Sequence, residues 1–486
     1  MAATVSTAQT DPTGELEQQR ERLLLKLAYQ RDHIATLWGW YTGRQDLPTV
    51  TAKYAAGYRL LLAEAITPWA RLVVDAIAER LRVQGVTSVQ VPDAAADAWT
   101  AFKRFRLNAD QRLIYTEALI GGTGYASVSD QGGEGVVITP ESAFEVTHET
   151  FPGNRRINAA AVKVYPLDWS RTTWVCELYR PEATYRWVTE MASPPRVLGE
   201  FPIDNPGRRT ARTDLDWQPL DSQDNSTGVV PVVPFENRVS VLAGGMGEIE
   251  DCIPILQRID RLTLAKMMAS EFASFRQKWA TGLEVPVDPE TGKRVEPFSA
   301  AVDRLWISES PDSRFGTFDA SDVSQYLSAV DSEIAALAAI SRVPAHYLLQ
   351  RNLANPPSAE SLIAGETGLV AKVEDRQAQY GESWERVLWL YAAMSGQPVE
   401  VEQLQMQWMD AEKRNPAQVA DAAVKLQDVG VPQRALWAYI GATPEQIDEW
   451  TLEQASSALL AAAAAPPVVP PVAEAMTPNE QAGPAA

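Results

Sequence analysis

The 486-residue chain is short of the side chains that most enzymes and metalloproteins use for chemistry. It has two cysteines, Cys176 and Cys252, and three histidines, His33, His148 and His346. Two isolated thiols argue against a disulfide framework and a thiolate metal centre, and three scattered imidazoles leave no histidine-rich one. No metal and no cofactor is therefore expected. No stretch of about 18 uninterrupted apolar residues occurs, so no membrane-spanning helix and no membrane partner is expected. The opening "MAATVSTAQTDPTGELEQQRERL" has no apolar core behind a basic start, which reads as the absence of a signal peptide and a cytoplasmic origin. Basic residues are also scarce: 43 Lys and Arg stand against 63 Asp and Glu, a formal charge of −20. A sequence-blind clamp on nucleic acid needs Lys and Arg to neutralise phosphates, so that class is disfavoured. A protein that surrounds DNA without gripping it is not. Residues 435–486 hold six acidic residues and no Lys or Arg, and that end should avoid phosphate.

Catalytic signatures are missing too. "VDPETGKR" has Gly292 and Lys293 but Val287 where a phosphate loop needs glycine, and Arg294 where it needs Ser or Thr; it reads as a hairpin turn. "GGTGYAS" at 121–127 lacks the third glycine of a dinucleotide fingerprint and leads into a strand. No GxSxG, HExxH or CxxC is present. His346 beside Tyr347 reads as a loop anchor. The acidic pairs Glu248/Glu250 and Asp319/Asp322 sit at helix starts, where the macrodipole alone favours carboxylates. No enzyme is expected.

What the chain does have is helical periodicity around a β-rich centre. Leu16, Leu23, Leu24, Leu27, Ile34, Leu37 and Trp38 predict an amphipathic helix over 15–41, ending at Gly43 and Pro48. Further helices are expected over 52–83, divided or kinked at Pro68, and over 93–123, ending in "GGTG". From Tyr125 to Arg238, "YASVSD", "GVVITP", "AAVKVYPL", "TWVCELYRP" and "ATYRWVTE" read as strands of an antiparallel sheet, with a polar surface loop over 208–228 and an extended "VVPVVPFENR" after it. Helix returns from Glu248 through Trp279. A compact insert over 283–318 then carries the "DPETGK" turn and one more possible strand. A helix over 320–341 places Val323, Leu327, Val330, Ile334 and Leu337 at four-and-three spacing, one seam toward a neighbour. The loop "SRVPAHYLLQRNLANPPSAESL" interrupts the most helical part of the chain. Ser358 then caps a helix to about Met394, with Gly365, Gly368 and Gly381 inside it. A strand over 397–412, short helices over 416–462 and an Ala/Pro-rich disordered tail complete a mainly helical α+β chain. Two helices flanking a β insert suggest either a protruding stalk suited to packing against copies of itself around a ring or a helical hairpin within an ordinary α+β domain.

The ordered series "LWGWYTGRQDLP", "RLVVDAIAERLRVQGV", "EALIGGTGYASV", "GVVPVVPFENR", "ISRVPAHYLLQRNLANPPSAESLIAGETGLVAKVEDRQ" and "NPAQVADAAVKLQDVGVPQRALWAYIGATPEQI" covers most of residues 30–450. In that order it resembles the portal proteins of tailed double-stranded DNA bacteriophages, in the siphophage-type family common among actinobacteriophages. The resemblance implies a portal fold: a flexible arm over 1–14, a wing over 15–247, stem helices over 248–282 and 319–341, a clip over 283–318, a tunnel loop over 342–357, a long wing helix over 358–396, a crown over 397–462 and a disordered tail over 463–486. It implies a ring, usually of twelve subunits, at one capsid vertex, through which double-stranded DNA is packaged and later ejected. The implied partners are the terminase large subunit, the head–tail adaptor, and the major capsid and scaffolding proteins, in a virion assembled in the host cytoplasm. The terminase, not the portal, hydrolyses ATP.

An acidic channel fits transport, because each tight phosphate contact would add a barrier at every step. On this reading Gln350, Arg351, Asn352 and Asn355 supply the few polar contacts to DNA, while Pro344, Pro356 and Pro357 shape the loop. Arg351 could instead pair with an acidic residue of a neighbouring subunit. Lys293 and Arg294 are candidate clip contacts, against a plain solvated turn. Another structural virion protein, a capsid or connector component, is the alternative, and an unrecognised cytoplasmic enzyme is the third reading.

Overall fold

The computed structural model describes residues 12–46, 59–88, 90–132, 135–190, 216–240, 244–274, 278–282, 312–317, 322–349, 358–397, 400, 403–412 and 416–464. They belong to two bodies, residues 1–413 and 414–486. The leucine stripe near the start of the chain forms α1 (Pro12–Thr42), which stops where Gly43 takes a left-handed φ of 72°. Pro68, which cannot donate into a preceding turn, divides the next helical stretch into α2 (Arg59–Glu64) and α3 (Trp69–Ala78). The expected extension of that helix to residue 83 does not occur: Val83–Thr87 is strand β1. The single helix expected over 93–123 is likewise two, α4 (Pro92–Arg104) and α5 (Leu107–Gly121), separated by Arg106 at φ 59°. That break lets both helices turn their apolar faces, through Phe102 and Ile114, into one core.

The β-rich centre resolves into β2 (Thr123–Asp130), β3 (Val136–Glu141), β4 (Val146–Phe151), β5 (Asn154–Pro166), β6 (Thr173–Tyr179), β7 (Ala183–Glu190), β8 (Gln218–Asp224) and β9 (Val232–Glu236). They form two antiparallel sheets, ordered β3-β2-β9 and β4-β5-β6-β7-β8. Part of the surface loop expected over 208–228 is therefore strand: β8 pairs with β7 although every one of its residues is exposed. A polar edge strand buries neither face, so hydrophobic alternation gives no sign of it, and its aspartates discourage further pairing.

After the 3₁₀ turn Glu250–Cys252 comes α6 (Ile253–Ser274), whose first turns pack into the main core through Ile255, Leu256 and Ile259. Helix does not continue through Trp279 as its apolar spacing suggested; Lys278–Thr281 is β10, paired antiparallel with β11 (Arg314–Thr317). Trp279 lies opposite Gly316, where an added Cβ would fall 2.5 Å from the Trp279 ring. The chain returns through α7 (Ser324–Ser341), the short α8 (Ala345–Leu348) and α9 (Ala359–Met394), 36 residues or about 54 Å at helical rise. The expected cap is present: the Ser358 hydroxyl accepts from the Ser361 amide at 3.2 Å. Of the strand expected over 397–412, Gln405–Trp408 forms β12 and pairs with β1. Residues 397–413 thus belong to the first body rather than with the helices that follow. The second body holds α10 (Pro416–Asp428), α11 (Gln433–Tyr439) and α12 (Pro444–Ala464), divided at "GVP" and "GATP" as expected.

The main core lies where α9 crosses α4, α5 and β9. Tyr115, Phe102, Phe235, Tyr380 and Trp384 are all below 2% exposed. Tyr115 and Tyr380 stack at 5.3 Å, and the Trp384 indole donates to the Tyr115 hydroxyl at 2.7 Å. Each such ring buries about 150–250 Å², so this cluster anchors the long helix to the body. A second core packs Leu23 and Leu27 of α1 on the five-stranded sheet through Val162, Trp174, Leu178 and Trp187.

Candidate functional site

The segment that interrupts the helices begins at Arg342, which caps α7 at φ 57°. Its first half is held in place. Val343 is 2% exposed and Leu348 7%, and Pro344, the one loop-shaping proline within the described residues, is buried as the N-cap of α8 with ψ 131°. Gln350, Arg351, Asn352, Asn355, Pro356 and Pro357 lie outside the described residues, as do Lys293 and Arg294 of the clip turn.

Two buried charge networks fix the base of this segment. In the first, the Glu366 carboxylate of α9 accepts from the Tyr347 hydroxyl at 2.8 Å and from Arg80 at 2.9 Å, while Arg80 also donates to the Ala411 carbonyl at 3.0 Å. His346 lies 3.9 Å from Glu366 and packs edge-on to Tyr347, so it does anchor the loop. Burial alone would raise the Glu366 carboxyl; the hydrogen bonds from Arg80 and Tyr347 outweigh it and hold the group below the usual range. Arg80 is 4% exposed, and it ties the α3–β1 connection and the chain after β12 to α8 and α9.

In the second network, Glu248 is 2% exposed and faces Lys372 at 2.6 Å and Arg376 at 2.7 Å, both on α9. Lys372 also donates to the Ser341 carbonyl at 2.8 Å, and Arg376 to the Asn237 side chain at 2.8 Å. Burial would push the Glu248 carboxyl up, but Lys372 and Arg376 pull it below its ordinary value. Glu248 was legible as an acid at a helix start. Its partners were not, because Arg376 lies 128 positions along the chain.

The seam residues on α7 divide in two. Ile334 is 4% and Leu337 0% exposed, both in this chain's own core, while Val323 and Val330 are half-buried and Leu327 is 50% exposed. The seam is therefore not continuous toward a neighbour; its C-terminal half is filled by the chain itself. Among the described residues no group of three or more His, Cys, Asp and Glu is placed to hold a metal, and no helix is long and apolar enough to cross a membrane. Glu366 and Glu248 are each matched by cations, and the two networks tie α9 to the chain on either side of it.

The family model for "Phage portal protein, SPP1 Gp6-like" matches residues 21–458. The chain belongs to the phage portal protein family. It is a structural component of the virion, in the family that forms the channel for genome packaging. The portal protein of Mycobacterium phage D29 is 26% identical over 462 residues, covering 90% of this chain and 89% of that one. The portal protein of Mycobacterium phage L5 is 25% identical over the same coverage. Among solved structures, a chain from the virion of a native gene transfer agent particle has a TM-score of 0.41 at 11% identity, over 80% of this chain and 92% of its own.

Proposed function

We propose that twelve copies of this chain close a ring at one capsid vertex, with α6 and α7 as the stem and residues 342–357 as the inner lip of a DNA channel. The observation that carries the reading is the family match, which runs unbroken across the body, both stem helices, the loop and the C-terminal helices. The geometry is in keeping with it. The packed helices α6 and α7 flank the paired strands β10 and β11, and the chain then enters a long helix after a segment whose base is locked by Glu366 and Glu248. A rigid base suits a loop that must present a few polar groups to a moving duplex.

In this reading residues 283–318 form the clip that meets the terminase large subunit during packaging and the head–tail adaptor afterwards. Residues 15–247 with α9 form the wing toward the major capsid and scaffolding proteins, and 416–464 form the crown. Gln350, Arg351, Asn352 and Asn355 face the DNA. Arg351→Ala is expected to lower the yield of full-length packaged genome while leaving rings intact, measured by nuclease-protected DNA in packaging reactions. Normal packaging and retention by that variant contradicts the assignment of the loop.

A further inference from the structure

We propose that the cleft beside Arg342 is a socket for a carboxylate of the neighbouring copy, an inference that rests on the ring reading above. A cleft of about 280 Å³ opens where α7 ends against α9 and the start of the stem. Four cations and three carboxylates line it. Arg238 holds Asp251 at 2.6 Å, Lys372 and Arg376 share Glu248, and Arg376 also reaches Asp375 at 2.5 Å. That leaves Arg342 exposed, with no acidic partner among the described residues.

Its backbone sharpens the point. Arg342 stands at φ 57° at a helix end, where glycine is the unstrained choice, and Arg238 across the cleft stands at φ 48°. A left-handed backbone is strained for a non-glycine residue, and the long cationic side chain carried here meets no acidic partner among the described residues. Beside it Ile340 is 56% exposed. An exposed guanidinium next to an uncovered isoleucine, at the mouth of a cleft of this kind, has the makeup of one side of a protein interface.

The occupant follows from charge. Asp251, Asp375 and Glu248 make the cleft hostile to the dense charge of a phosphate backbone, while its single excess cation matches one monovalent carboxylate. A chain with 63 acidic residues presents such groups abundantly to its neighbour.

The test compares full-length wild type with Arg342→Glu and Arg342→Lys by mass photometry across a NaCl series, with thermal unfolding and binding of a labelled duplex measured in parallel. Arg342→Glu is expected to raise the concentration needed for rings by at least about tenfold at low salt, because it sets two carboxylates against each other, and added NaCl should narrow that gap from wild type, with Arg342→Lys in between. Its melting transition should stay at the wild-type position, since the side chain has no acidic partner among the described residues. Rings forming at the wild-type concentration and salt dependence overturn the proposal. So do unchanged rings with weakened duplex binding, which would make Arg342 a phosphate contact. A wild-type chain that forms no ring defeats the ring reading and the socket together.

Discussion

At the scale of single residues, Glu248 carries more of the structure than any acid the sequence singled out. Removing its charge would leave Lys372 without a counter-charge and Arg376 with only the exposed Asp375, a loss that costs about 3–5 kcal/mol in comparable networks. Glu248→Gln, close in size, is therefore expected to destabilise the first body by roughly that amount at pH 7, read from urea unfolding. The sign with pH follows from the depressed carboxyl. Its contribution is full above the ordinary value of 4.5 and is lost as pH falls through the lower folded value. The difference between wild type and variant should shrink below pH 4.5. A gap that stays constant with pH contradicts the network as described. Arg80 shows the limit of reading such groups from sequence: it lies at the end of an amphipathic helix like many solvated arginines, and only contacts 267 and 286 positions away reveal it as buried.

At the scale of elements, the long-range backbone contacts decide what the local pattern could not. The "GGTG" stop was legible, since Gly122 takes φ 86°. What it packs against was not: a Cβ on Gly245 would fall 2.0 Å from the Gly122 carbonyl oxygen, so two backbones meet between β9 and the start of α6. Gly245→Ala is expected to cost at least about 2 kcal/mol, because backbone rather than a mobile side chain must shift. Gly365 is the counter-case. Nothing lies within 4 Å of its added Cβ, and it sits inside α9, so Gly365→Ala should stabilise by about 0.5–1 kcal/mol. Thermal melts of the two variants shifting in the same direction would contradict this contrast. α1 and α7 were readable because their apolar stripes are long, and α9 from the cap at Ser358. β1 with β12 was half-read, since Val83 pairs with Trp408 far along the chain, and β8 escaped because it buries nothing. The end of α6 was misplaced because apolar spacing continues into residues that the hairpin uses as strand.

At the scale of the whole molecule, the scarcity of Cys, His and basic residues disfavoured catalysis and tight DNA binding before any fold was known, and the order of weak motifs pointed to the family that the match over 21–458 establishes. The sequence could not say that half of the α7 seam serves the chain's own core, because heptad spacing does not tell an internal partner from an external one. The net charge of −20 per chain also sets how a ring must hold together: like-charged copies repel, so contacts such as the Arg342 socket have to offset that repulsion, and assembly should depend on salt. The most direct measurement is a cryo-electron microscopy reconstruction of the purified chain. A twelvefold ring with an open central channel, wide enough for duplex DNA and edged by residues 342–357, is expected. A chain that stays monomeric at every concentration and salt, or a closed assembly with no axial channel, would contradict it.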